Sequence, residues 1–105
     1  MLKPILLVED NPRDLELTLL ALERSQLANE VIVLRDGADA LDYLLRRNAY
    51  AERDDGNPAV LLLDLKLPKV DGLEVLKEVR GTPELRSIPT AVSYTHLTLP
   101  TKRIV

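Results

Sequence analysis

Three acids stand where strands of this chain should end. Glu9 and Asp10 follow the apolar run Ile5-Leu6-Leu7-Val8, and Asp64 follows Ala59-Val60-Leu61-Leu62-Leu63. If the two runs are neighbouring strands, carboxylates from distant parts of the chain converge. Like charges a few ångströms apart repel unless a cation sits among them, and an all-oxygen set favours a hard ion such as Mg2+. An Asp on a rigid strand end beside such an ion can also act as a nucleophile toward a phosphoryl group, because the metal offsets charge on the equatorial oxygens. Taken singly, Glu9 and Asp10 are equally well explained as loop starters or helix caps. Asp64 is the sharper candidate, since it follows an apolar run with no turn residue between, and a buried carboxylate demands a partner. Asp71-Gly72 reads as the turn and cap of a following helix. Lys66 and Lys69 read as solvated loop charges, and Asp54 and Asp55 as loop polarity.

The elements that must position these acids follow from the hydrophobic pattern. Continuous apolar runs suit strands buried on both faces, which assigns the first strand to Ile5-Val8 and the third to the run before Asp64. Asn11 is an N-cap candidate with Pro12 at the first helical position and Asp14 as capping-box partner. Leu15, Leu19 and Leu22 recur at helical spacing, and the helix is expected to end near Ala28. Val31-Ile32-Val33-Leu34 reads as a second strand closed by the Asp36-Gly37 turn. Ala38, Leu41 and Leu45 mark a second helix reaching about Arg47, and residues 48–58 a polar loop. Leu73, Leu76 and Val79 form the stripe of a third helix stopped at Gly81, and Ile88-Pro89-Thr90-Ala91-Val92 opens a fourth strand. Strand and helix thus alternate, predicting an α/β fold with a doubly wound parallel sheet and right-handed crossovers. In such sheets ligands bind beyond the carboxyl ends of the strands, where the acids fall.

Composition narrows the function. At 105 residues and 46% hydrophobic, the chain is one small domain. Only 3% of it is aromatic, and 14 basic residues stand against 17 acidic ones, so neither a base-stacking platform nor a phosphate-tracking basic stripe is available and nucleic-acid binding is disfavoured. The absence of Cys removes thiolate metal sites and disulfides and agrees with a reducing, cytoplasmic setting. The apolar run after Met1 is too short for a signal segment or membrane span.

Together, Ile-Leu-Leu-Val-Glu-Asp-Asn at 5–11, Leu-Leu-Leu-Asp-Leu-Lys-Leu-Pro-Lys-Val-Asp-Gly at 61–72 and Ile88-Pro89 resemble the receiver domain of two-component response regulators. Arg35-Asp36-Gly37, Ala40-Leu41-Asp42-Tyr43-Leu44 and the loop after them resemble the small stand-alone regulators that serve bacteriophytochrome-type kinases. The resemblance implies a flavodoxin-like sheet of order 2-1-3-4-5. It implies that Asp64 accepts a phosphoryl group from a sensor histidine kinase, while composition gives this segment no nucleic-acid or membrane partner. Glu9 and Asp10 would hold Mg2+ with Asp64 and the backbone carbonyl of Lys66, while Pro68 and Gly72 shape the loop. Such a domain is a phospho-acceptor with self-catalysed phosphotransfer and slow autodephosphorylation, not a turnover enzyme. Other users of a strand-end Asp fit less well: a haloacid dehalogenase-type phosphatase needs a second Asp where Lys66 stands. A flavodoxin needs a phosphate loop that Asn11-Pro12-Arg13 does not supply.

The chain departs from the family after the fourth strand begins. Ser93-Tyr94-Thr95 occupies the switch region, with Tyr94 where the hydroxyl residue is expected, and no lysine ends a fifth strand. Strand five and helices four and five are expected to be missing, leaving an apolar edge. Residues 92–105 resemble an in-frame translation of a transposon-end sequencing adapter. The expected division is therefore a truncated receiver domain at 1–91 and a non-native tail at 92–105, with the oligomeric state unassigned. For this literal chain the alternative is a receiver-like interaction module that works without phosphorylation.

Overall fold

The computed structural model describes residues 2–93. The elements are β1 (Ile5–Val8), α1 (Pro12–Arg24), β2 (Val31–Leu34), α2 (Gly37–Leu45), a 3-10 turn at Asn48–Tyr50, β3 (Val60–Asp64), α3 (Gly72–Gly81) and β4 (Thr90–Ser93). All strand pairs are parallel, in the order β2-β1-β3-β4. This is the expected flavodoxin-like arrangement as far as its fourth strand. β4 carries Val92 and Ser93 across the expected boundary at Ala91, and the rest of the proposed tail lies outside the described residues. So does the region that would have to hold a fifth strand. Among the described residues no helix is long and apolar enough to cross a membrane.

The central strands are apolar up to Asp64 because helices pack on both faces of the sheet. Every residue of β1 is buried, and β3 buries Leu61, Leu63 and Asp64. On one face Leu6, Val8, Leu34, Leu61 and Leu63 pack with Ala40, Tyr43 and Leu44 of α2 and Val75 and Val79 of α3. Leu85 and Ile88, in the turns between α3 and β4, close this core. On the other face α1 buries none of its residues, and its stripe of Leu15, Leu19 and Leu22 is only half-buried.

Helix ends differ from expectation where side chains redirect the backbone. α1 stops at Arg24, short of Ala28: Ser25 bonds back to the Ala21 carbonyl through both its N–H and its hydroxyl, and Gln26 turns left-handed at φ 56°. α2 stops at Leu45, where Arg46 takes a left-handed cap at φ 56°. The 48–58 loop, polar in sequence, is pinned from within. Arg53 lies 3.9 Å from the centroid of the Tyr43 ring, and its guanidinium donates to the carbonyls of Tyr43 and Gly56. Asp55 is thus an ion-pair partner of Arg53 at 2.6 Å, more than the loop polarity read from sequence.

Candidate functional site

Register brings the acids together. Val8 of β1 is paired with Leu63 of β3, so the residues that follow, Glu9 and Asp64, leave the two central strands side by side. Glu9 is 4% exposed and Asp64 2%, while Asp10 is half-buried. One carboxylate oxygen from each of the three lies within 4.8 Å of the others. Nothing in the sequence except the topology puts Asp64 next to Glu9, 55 positions away.

Electrostatics of this cluster are dominated by burial. Desolvation pushes the Glu9 carboxyl up to about 7, helped by its hydrogen bond to Asp64 and the negative charges of Asp64 and Asp14, and opposed by the N–H of Asn11. The raised Glu9 carboxyl marks a crowding of negative charge that a bound cation would offset. Two buried carboxyls, one half-buried neighbour and only hard oxygen donors fit a small divalent cation such as Mg2+.

Local structure holds each group in place. The N–H of Asn11 donates to Glu9 Oε2 at 3.2 Å, while Asn11 Oδ1 accepts from the N–H groups of Arg13 and Asp14 at 2.9 and 3.0 Å. The reciprocal half of the expected capping box is therefore supplied by Glu9, not Asp14, because the strand-end acid already lies over the N-cap amide. Asp64 Oδ1 accepts from the Lys66 N–H at 3.1 Å, which turns the Lys66 backbone onto the site while its side chain is exposed. Asp10, Asn11 and Pro12 face Lys66, Leu67 and Pro68 across an open groove of about 410 Å³.

Behind Asp64 the packing is steric. A Cβ on Gly72 would overlap the Asp64 carbonyl oxygen and the Leu65 backbone, and the Gly72 N–H donates to the Leu65 carbonyl at 3.0 Å. Asp71 caps α3 by accepting from the Leu73 N–H at 3.4 Å, as its position before Gly72 predicts. Pro68 presents its carbonyl to the N–H of Gly37 at 3.2 Å.

Two neighbours of the site are placed only by the fold. Ser93 pairs in register with Asp64 and lines, with Glu9 and Asp64, a cavity of about 170 Å³. The expected hydroxyl position, Tyr94, lies outside the described residues. Arg35 donates from Nη2 to the Asp10 carbonyl at 3.2 Å. Its only sequence signal is its place in the Arg35-Asp36-Gly37 turn at the end of β2.

Comparison with known proteins gives a consistent result. The family model described as the response regulator receiver domain matches residues 5–100. Response regulator Rcp1 of Synechocystis sp. is 43% identical over 90 residues, covering 86% of this chain and 60% of Rcp1. Its Mn2+-bound crystal structure superposes with a TM-score of 0.79, over 86% of this chain and 63% of that one. The bacteriophytochrome response regulator RtBRR is 71% identical with a TM-score of 0.85, over 88% of this chain and 55% of RtBRR. The phosphorylated cyanobacterial phytochrome response regulator RcpA is 44% identical with a TM-score of 0.78, over 88% of this chain and 64% of RcpA. The chain spans 55–64% of the length of these relatives.

Proposed function

We propose a function from an established membership: this chain belongs to the response regulator receiver domains of two-component signalling, and Asp64 is its phosphoryl acceptor. The observation that carries the reading is the burial of Asp64 at the carboxyl end of β3 with oxygens of Glu9 and Asp10 within 4.8 Å. Glu9, Asp10, Asp64 and the Lys66 main-chain carbonyl would hold Mg2+, which when bound supplies positive charge against the oxygens of the phosphoryl group in transfer. The Mn2+-bound Rcp1 and phosphorylated RcpA structures support both halves of this assignment.

The chain's own residues do the rest. An Asp64 carboxylate oxygen forms a bond to phosphorus as the phosphorus–nitrogen bond to a kinase histidine breaks, and the electron pair leaves with the imidazole. The Lys66 N–H orients Asp64, and the Asn11 N–H stabilises charge on Glu9. Burial against β4 limits water at the acyl phosphate, which makes the domain a slowly resetting switch, with signalling state as its product. The likeness to bacteriophytochrome and phytochrome response regulators supports a phytochrome-type sensor histidine kinase as the partner, and the absence of Cys agrees with a cytoplasmic setting. Incubating the chain with a small phosphodonor and Mg2+ should add one phosphoryl group by intact mass. An unchanged mass in folded, metal-bound protein would contradict the reading and favour an interaction module that works without phosphorylation.

A further inference from the structure

The two loops that carry the site face each other across an open groove, so their separation must be fixed from elsewhere. The turn after β2 touches both. On one side Arg35 donates to the carbonyl of Asp10 at 3.2 Å. On the other, the Gly37 N–H, one of the donors that a helix start leaves without an intrahelical partner, donates to the carbonyl of Pro68 at 3.2 Å. A Cβ at Gly37 would overlap the carbonyl oxygen of Val70, so the β3–α3 loop lies directly on the glycine. Asp36 adds a third tie: its Oδ1 caps α2 by accepting from the Asp39 N–H at 2.7 Å, and its Oδ2 lies 3.6 Å from Lys69 Nζ. Lys69 itself holds a left-handed φ of 68°, a conformation a non-glycine residue keeps only where its surroundings fix it.

We propose that Arg35 and Gly37 are positioning residues that set the distance between Asp10 and the Lys66–Val70 loop, so that the Mg2+ affinity of the site depends on a turn that contributes no ligand. The inference rests on the reading that Glu9, Asp10 and Asp64 hold Mg2+. Groups that hold metal ligands from behind commonly change affinity by an order of magnitude or more, because ligand oxygens must sit within tenths of an ångström of their ideal places. Reciprocity requires the converse: Mg2+ binding must tighten the turn.

The test uses the whole chain and reads binding, not phosphorylation. Mg2+ is titrated into wild type, R35A, R35K and G37A while the amide NMR signals of Glu9, Asp10 and Asn11 are followed, and exchange of the Gly37 amide is measured with and without the ion. R35A should raise the Mg2+ dissociation constant about 10-fold with metal-free melting unchanged, R35K should recover part of the loss, and Gly37 exchange should slow on Mg2+ binding. G37A should weaken binding more and shift the Lys69 and Val70 signals. Wild-type affinity in both R35A and G37A overturns the inference and leaves the metal reading standing. Loss of affinity that merely tracks lost metal-free stability in R35A and R35K alike also overturns it, by making Arg35 structural. A wild-type chain that binds no Mg2+ overturns both.

Discussion

The two faces of the sheet are built differently, and the site stands at their junction. On the α2–α3 face, Leu6, Val8, Leu61 and Leu63 are at most 1% exposed and are packed by Val75 and Val79 from α3. The α1 face has a helix with no buried residue, with Leu17 58% and Leu20 45% exposed. A recess of about 210 Å³ lies between α1 and the β1–β2 edge, lined by Ile5, Leu19, Leu22, Leu27 and Val31 among others. Asp64 is clamped from the dense side through Gly72, whereas Glu9 and Asp10 lead directly into α1. The proposed acceptor is thus held by close packing, and the two acids proposed to bind metal with it lie at the start of the thinly covered helix. On the proposed reading, dense packing fixes the atom that would meet phosphorus, while the less tightly packed side would accommodate a cation.

The largest expected effect tests that contrast directly. Leu61→Ala on the dense face should cost about 2–5 kcal/mol in urea unfolding, because the cavity cannot collapse. Leu22→Ala on the thin face should cost about 1 kcal/mol or less. Equal losses would break the comparison.

Next comes pH. The folded-state Glu9 carboxyl is raised to about 7 from an ordinary 4.5, so the folded domain binds more protons than the unfolded chain between those values. Its contribution to stability is complete below about 4.5 and is lost as pH rises through about 7. The loss is on the order of 3 kcal/mol for the metal-free domain. Melting followed from pH 4.5 to 8 should show this fall, Glu9→Gln should flatten it, and saturating Mg2+ should oppose it. A flat metal-free profile would remove the electrostatic argument for a cation.

Gly72 and Gly81, the two ends of α3, sharpen the steric half. Gly72→Ala should cost about 1–3 kcal/mol and slow phosphoryl uptake, since the new methyl meets the Asp64 carbonyl. Gly81, with nothing within 4 Å of a Cβ, should accept Ala with no loss and a gain of about 0.5–1 kcal/mol. Smaller still, Arg53→Ala should cost about 1–2 kcal/mol through its ring and carbonyl contacts, against about 0.5 kcal/mol at most for exposed Leu17→Ser. Chemical denaturation resolves the first of this last pair and bounds the second.

Much of this architecture is legible in the sequence, and what is hidden is hidden for a reason. Apolar runs ending in acids mark β1 and β3, and Asn11 and Asp71 mark helix starts, because a strand's burial and a cap's hydrogen bonds are local; Asp36, read as part of a turn closing β2, also caps α2. Glu9 as partner of the Asn11 amide is one step less local and is mistaken for an Asp14 capping box. Arg53 gives no signal in the sequence, because its partner Tyr43 lies ten positions back and only the folded loop stacks the two. The leucines of α1 repeat at the same spacing as those of a well-buried helix, and periodicity reports which face turns inward without reporting how much covers it. The acidic cluster is legible only on the assumption that β1 and β3 are neighbours, which the register supplies.

The most direct measurement maps the phosphoryl group. After exposure to a small phosphodonor, the whole chain is digested and the modified residue located by tandem mass spectrometry, with Mg2+ present or chelated. The account expects one acyl phosphate, on Asp64, formed with Mg2+ and suppressed by the chelator, and absent in Asp64→Asn. Modification at another residue, or equal modification of Asp64 with the ion removed, would contradict it.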